Sequence, residues 1–345
     1  MSRITMVGAG MMASALSVPL RYNGHQVRIV GTPLDEEIIA RLKTDSFHPT
    51  LKRRLPDGVE YYSCSQLETA MAGADLLIGG VSSFGVDWFM ENIIPVIPDS
   101  LPVLSVTKGM QDQPDGTMLS YPELYRASTT RPISFNAIGG PCTSYELADM
   151  DPTEVTFCGW DSALLRSLKS LFETPFYHIS LSTDVRGVEC AVALKNAYAL
   201  AVSLAVGLSY VREGREFEHY NSQAALFGQS VREMQGLLTL CGEKASNLHL
   251  GVGDLYVTVF GGRTRKIGIL LGEGVPYAEA MEQLSGVTLE SVVITERMAR
   301  AVRRLDARGI ARAADYPLLM HIDSLITGGQ RVSIPWAEFE QETFF

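Results

Sequence analysis

The sequence predicts an α/β fold: a doubly wound parallel (Rossmann-type) N-terminal domain over residues 1–184, followed by an all-helical C-terminal domain over residues 185–345. Three observations predict it. Short strands that are apolar on both faces alternate with helical stretches, as in a parallel sheet covered on both sides. The strand ends carry turns of one character: Gly8-Ala9-Gly10, Gly31-Thr32, Val81-Ser82-Ser83, Thr107-Lys108-Gly109 and Gly139-Gly140-Pro141. Doubly wound sheets bind ligands beyond the carboxyl ends of their strands, so this repetition already points to function. From Gly187 onward the chain loses β-branched alternation and reads as successive helices.

Arg3–Val7 is the first strand, followed by a glycine turn and a helix over 11–22 that Asn23-Gly24 ends. Gln26–Val30 is the second strand. Residues 35–42 and 66–72 read as helices, 74–81 as a buried strand closed by a turn, and 87–96 as a further helix. Continuous apolar runs over 102–106 and 133–138 give two more strands.

Composition narrows the class. A chain of 345 residues exceeds the usual size of one hydrophobic core, which implies two domains. At 46% hydrophobic and 20% charged residues it is not disordered. Its net charge of −10 disfavours nonspecific binding to nucleic acid or to anionic membrane. The five cysteines include no C-x-x-C pair, so thiols and a cytoplasmic location are expected. The six histidines show no H-E-x-x-H or comparable spacing, and no metal site is expected. The chain enters a strand within its first residues, so no signal peptide is expected.

Two features carry chemistry. Gly8-Ala9-Gly10-Met11-Met12-Ala13 fits the dinucleotide-binding pattern, with alanine in the third glycine position, directly after a strand and opening a helix. Such a turn offers backbone N–H donors and a positive helix end to a pyrophosphate. The acid that binds ribose is absent from the end of the second strand, where Gly31-Thr32-Pro33-Leu34 stands. No arginine follows to take a 2′-phosphate, and Asp35-Glu36-Glu37 would repel one, so NAD is favoured over NADP. The second feature is Lys195, in an apolar run from Gly187 to Val202. Burial there costs hydration and lowers a lysine pKa unless the amine is paired or reaches water along its stem. The run is long enough to raise a membrane span, but Glu189, Lys195 and Asn196 within it argue for a buried helix.

Further blocks follow in sequence: Thr107-Lys108-Gly109, Gly140-Pro141-Cys142-Thr143-Ser144-Tyr145-Glu146, and Gly187-Val188-Glu189 through Ala193-Leu194-Lys195-Asn196. Gly251-Val252-Gly253-Asp254-Leu255, Gly262-Arg263-Thr264-Arg265-Lys266-Ile267-Gly268 and Leu289-Glu290-Ser291 come after them. In this order, spanning about Ile4 to Ile326, the sequence resembles the NAD(P)-dependent glycerol-3-phosphate dehydrogenases.

The resemblance implies reversible hydride transfer between a nicotinamide and dihydroxyacetone phosphate, giving glycerol 3-phosphate. It implies Lys195 as general acid, Lys108 as polariser of the carbonyl, and Asp254 as the charge that balances and orients Lys195. Asn196, Thr258, Arg263 and Thr264 would join Lys108 and Asp254 around the substrate, with Arg263 on its phosphate. The cofactor would lie on Gly8, Gly10, Met11, Met12, Ala13, Thr32, Ser82, Lys108, Gly140, Ser144, Arg263 and Glu290. The expected partner is thus a small phosphorylated substrate, without nucleic acid or membrane insertion, in a homodimer. Asp254 has a rival role as a helix N-cap before Leu255, and Arg265 reads as a solvated charge.

The sequence departs from the family pattern at Ser82 (for proline), Cys142 (for a hydroxyl residue), Gly262 (for serine) and Thr264 (for asparagine). These departures touch the groups that read the substrate more than the lysines that act on it. The alternatives left open are the same chemistry on another phosphorylated ketone or polyol, and a noncatalytic NADH-sensing protein.

Overall fold

The computed structural model describes residues 1–286 and 289–342. By contacts the chain divides into two units: Met1–Lys108 with Ser120–Glu189, and Gly109–Leu119 with Cys190–Phe345. The expected junction at residue 184 lies beside the start of a long helix, whereas this division falls inside that helix, between Glu189 and Cys190.

The first unit is built on eight strands: β1 (Arg3–Val7), β2 (Gln26–Val30), β3 (Val59–Tyr62), β4 (Leu76–Gly79), β5 (Val103–Ser105), β6 (Phe135–Gly139), β7 (Thr153–Cys158) and β8 (Tyr177–Ser182). They lie in the order β8-β7-β6-β5-β4-β1-β2-β3. All neighbours are parallel except β6 and β7, which pair antiparallel as Ala137↔Cys158 and Gly139↔Thr156. The segment joining them carries only the helix Ser144–Ala148, and antiparallel pairing does not require the long crossover a parallel strand needs. β1 and β4 read RITMV and LLIG and are apolar on both faces because helices cover both sides. β8 reads YHISLS and alternates buried and exposed residues, as an edge strand with one solvated face does. The chain leaves β1 in one direction and returns to its other side at β4. That switch point is where doubly wound sheets bind ligands.

Helix α1 (Met11–Ala15) follows β1 and continues through Leu16 into a second short helix, Ser17–Tyr22. Helix α2 (Glu36–Asp45) follows β2.

The second unit is helical, apart from a short ladder of Met110–Asp112 and Met118–Ser120 whose last residue belongs to the first unit. Arg300 and Arg304 both bind Asp112, and Arg297 donates to the Met110 carbonyl, which ties this excursion to the helices. The helices are α3 (Val185–Glu213), α4 (Tyr220–Cys241), α5 (Leu248–Val259), α6 (Gly262–Gly272), α7 (Glu290–Ala307) and α8 (Pro317–Thr327), with a short one over Tyr277–Gln283. α3 has the length and apolarity to cross a membrane, yet 83% of its apolar window is buried inside the fold, as in a core helix.

Small residues let its neighbours approach. A Cβ at Gly268 would meet the Leu200 carbonyl at 2.7 Å, and one at Gly251 would meet the Ala191 carbonyl at 2.7 Å. The second approach bears on function: Asp254 is three residues past Gly251, and Lys195 one helical turn past Ala191. Glu233 on α4 accepts from Tyr198, Gln229 and the backbone N–H groups of Leu318 and Leu319. It thereby caps α8 and fixes it against α3 and α4.

Candidate active site

Each unit gathers part of the predicted chemistry. In the first, Gly8 donates its N–H to the Val30 carbonyl and Gly80 donates to the Val7 carbonyl, so the glycine turn is held between β2 and β4. Gly8 has φ +103°, and a Cβ there would meet the Gly80 carbonyl oxygen at 2.8 Å. The fold itself therefore demands this glycine. Gly10 differs: its φ is −67°, and a Cβ would find only the Gly80 oxygen at an ordinary 3.5 Å. Neither backbone nor packing requires glycine at position 10, which leaves the space a Cβ would fill open to a ligand. Ala13 is small because Gly80 packs against it, a Cβ on Gly80 meeting its methyl at 2.5 Å. The residues present fit a dinucleotide pyrophosphate.

As expected, the end of β2 carries no acid, and Asp35 beyond it folds back onto the glycine turn. Its Oδ2 accepts from the Thr32 N–H (2.8 Å), the Thr32 hydroxyl (2.7 Å) and the Ala9 N–H (3.1 Å). Asp35 holds the N-cap position of α2 but makes no cap bond to it. A side chain that forgoes a cap contribution of about 1 kcal/mol for the glycine turn is committed to that turn. Thr32 is thus held by Asp35, while Ser82 is exposed at the end of β4.

At the ends of β5 and β6, Lys108 Nζ donates to the Gly140 carbonyl at 3.0 Å, and the Thr107 hydroxyl donates to the Val81 carbonyl at 2.7 Å. Ser144 is buried at the start of its short helix. Cys142 packs with Met11 and Met12 against the apolar core, which accounts for a thiol where the family pattern has a hydroxyl. Sequence reasoning missed Glu189, which it used only as a charge within an apolar run. Its side chain is fully buried, and neither oxygen has a hydrogen-bond partner among the described residues. Burial pushes its carboxyl up to about 8, with the Lys108 charge pulling down and Glu123 adding a smaller push upward. A buried acid without donors was legible only as chemistry out of place.

In the second unit Lys195 Nζ donates to Asp254 Oδ1 at 2.5 Å, with side-chain exposures of 13% and 0%. The lysine is therefore neither a snorkelling surface amine nor an uncompensated buried charge. Asp254 stands inside α5, whose N-cap is Asn247, so the rival capping role is excluded. Thr258, one turn on, donates its hydroxyl to the Asp254 carbonyl at 2.6 Å and is partly exposed, as is Asn196 beside Lys195.

The two arginines of α6 separate. Arg263 is exposed in the first turn and forms no hydrogen bond or ion pair with the described residues. Arg265, expected to be a solvated charge, instead binds the Val259 carbonyl and Glu218 at 17% exposure. Gly262 has φ +81°, a left-handed conformation that strains serine, which explains that departure. Thr264 is buried beneath the first turn of α6, and Glu290 begins α7.

Comparison with known proteins gives the family. Residues 3–164 match the family described as NAD-dependent glycerol-3-phosphate dehydrogenase N-terminus, and residues 184–335 match its C-terminus. The NADP(+)-dependent glycerol-3-phosphate dehydrogenase of Archaeoglobus fulgidus is 35% identical over 88% of this chain and 91% of its own. The glycerol-3-phosphate dehydrogenase [NAD(P)+] of Koribacter versatilis is 32% identical over 86% of each chain. Among solved structures, the glycerol-3-phosphate dehydrogenase of Coxiella burnetii shares the fold. Its TM-score is 0.80 at 22% identity, covering 98% of this chain and 97% of its own.

Proposed function

The chain belongs to the NAD-dependent glycerol-3-phosphate dehydrogenase family, and on that premise we propose that it interconverts dihydroxyacetone phosphate and glycerol 3-phosphate. When bound, the nicotinamide supplies the hydride for reduction and accepts it in oxidation. The buried Lys195–Asp254 pair is the observation that carries the reading. As negative charge develops on the ketone oxygen, the Lys195 ammonium gives it a proton. In the reverse direction the neutral amine removes that proton from the alcohol. Asp254 fixes the direction of Nζ and balances its charge. The family resemblance gives Lys108 the part of polarising the carbonyl with its positive charge.

The proposal assigns the cofactor to Gly8, Gly10, Met11, Met12, Ala13, Thr32, Ser82, Lys108, Gly140 and Ser144, with Arg263 and Glu290. It assigns the substrate to Lys108, Asn196, Asp254, Thr258, Arg263 and Thr264. Arg263 offers an uncommitted guanidinium suited to two phosphate oxygens at once. Arg263→Ala is expected to raise the KM for dihydroxyacetone phosphate about 10–100-fold with kcat largely kept, the loss of one charged contact shared by ground and transition states. An unchanged KM removes Arg263 from the phosphate site.

NAD is proposed as the preferred cofactor, because the segment after β2 brings the Asp35 carboxylate to the turn, where a 2′-phosphate would be repelled. The Archaeoglobus relative is named as NADP(+)-dependent, so both cofactors are measured side by side. We expect a higher kcat/KM with NADH than with NADPH; the opposite order reverses the assignment. A cytoplasmic homodimer completes the proposal. It rests on five cysteines that form no disulfide and on the exposed Tyr256–Phe260 ring pair of α5. Light scattering giving the monomer mass, or a fraction outside the cytoplasm, would remove the respective part.

A further inference from the structure

His48 is fully buried, although nothing in the predicted chemistry uses it. It stands in a short hairpin, Phe47–His48 with Arg53–Arg54, directly after α2. Both ring nitrogens are engaged by backbone. Nδ1 receives the Leu51 N–H at 3.1 Å, and Nε2 lies 2.8 Å from the Ala9 carbonyl oxygen. A backbone N–H can only donate, so Nδ1 carries the lone pair and the ring proton sits on Nε2, where it is donated to Ala9. Ala9 is the middle residue of the glycine turn, and its own N–H is held by Asp35. One peptide segment is therefore gripped from both sides by side chains that flank a single helix, α2, in the sequence.

We propose that His48 is a positioning residue for the cofactor turn: by holding the Ala9 carbonyl it aims the Gly10 N–H at the dinucleotide phosphate. The link is the planarity of the peptide. The chain has no cis peptide among the described residues, and a trans unit points its N–H opposite to its C=O. Fixing the Ala9 carbonyl toward His48 turns the Gly10 N–H the other way, and that N–H has no acceptor among the described residues. Glycines on both sides of Ala9 give the turn little stiffness of its own, so ordering it must come from outside. Supplying that order before binding removes part of its cost from the affinity. Burial also pulls the His48 pKa down, with the Asp35 carboxylate opposing, which suits the neutral ring these contacts require.

The inference rests on the glycine turn being the cofactor site, and the test separates the two. NADH affinity is measured by fluorescence titration for the parent, His48→Leu and His48→Gln. Leucine removes both contacts, whereas the glutamine amide retains an N–H donor at the Nε2 position. We expect about tenfold weaker NADH binding for His48→Leu, recovery of most of that loss in His48→Gln, and kcat at saturating NADH within about twofold of the parent in both. Equal losses in the two variants, or no loss in either, would overturn the role while leaving the cofactor site intact. A parent that binds no NADH overturns the site and the inference together. Should His48→Leu fail to fold, nitrogen-15 NMR of the imidazole in the unaltered, unliganded protein decides. A neutral ring with a slowly exchanging proton on Nε2 supports the grip on Ala9, and a proton on Nδ1 or one in fast exchange overturns it.

Discussion

Lys195→Ala is expected to lower kcat about 10²–10⁴-fold, the usual contribution of a positioned general acid, while NADH affinity stays within about twofold. The loss falls on kcat because the proton is needed only as charge develops on the ketone oxygen. The single variant has a structural consequence as well, since it strands the fully buried Asp254 carboxylate without its cation. Such a stranding costs about 3–5 kcal/mol. The double variant Lys195→Met with Asp254→Asn removes that charge, and it should fold near parental stability and remain inactive. Added methylamine should restore part of the turnover in Lys195→Ala. A folded double variant with more than about a tenth of parental kcat contradicts proton transfer by Lys195.

Glu189→Gln is expected to change how stability depends on pH. The folded carboxyl titrates at about 8 and the unfolded one near 4.5. Below the lower value both states hold the proton and nothing is lost. Between the two values only the folded state holds it, so stability falls with rising pH at about 1.4 kcal/mol per unit. Above the upper value both states are ionised, and the full penalty, roughly 4–5 kcal/mol, remains. Glutamine keeps the shape and cannot ionise. Urea unfolding should show variant and parent within about 1 kcal/mol at pH 5, and the variant more stable by several kcal/mol at pH 8. Parallel pH dependences for the two proteins would mean that Glu189 is not held protonated. An ionised Glu189 would also act on the neighbouring Lys108 charge.

Much of this site was legible because local chemistry forced it. Gly8 is dictated by a positive-φ turn, Ala13 by its packing against Gly80, and Lys195 is too costly in an apolar helix without a partner. The strands β1, β2, β4, β5 and β6, mostly apolar runs ending in glycine, serine or threonine turns, were equally plain. β3, β7 and β8 were not, because VEYY, TEVTFC and YHISLS each carry polar residues on a solvated or partly covered face. The excursion of residues 109–119 into the second unit depends on Arg300 and Arg304 meeting Asp112, a pairing across nearly two hundred residues that no local pattern encodes.

Asp35 was visible as an acid after the strand, but not that it folds back through Thr32 onto the Ala9 N–H; a Thr-x-x-Asp spacing was the available signal. His48 offered no signal at all: a histidine in a hairpin looks the same whether it faces solvent or grips a backbone carbonyl. Arg263 and Arg265 are chemically alike in the sequence, and only the Val259 carbonyl and Glu218, which bind Arg265, tell them apart.

The account turns on hydride delivery to the ketone carbon of dihydroxyacetone phosphate with a proton delivered to its oxygen. The most direct measurement uses NADH carrying deuterium at both C4 positions with dihydroxyacetone phosphate and the purified protein, followed by mass spectrometry and NMR of the product. We expect glycerol 3-phosphate with one deuterium at C2, formed one-for-one with oxidised cofactor and lost in Lys195→Ala. Tight NADH binding with no labelled glycerol 3-phosphate, whether the label goes to another phosphorylated ketone or nowhere, would contradict it.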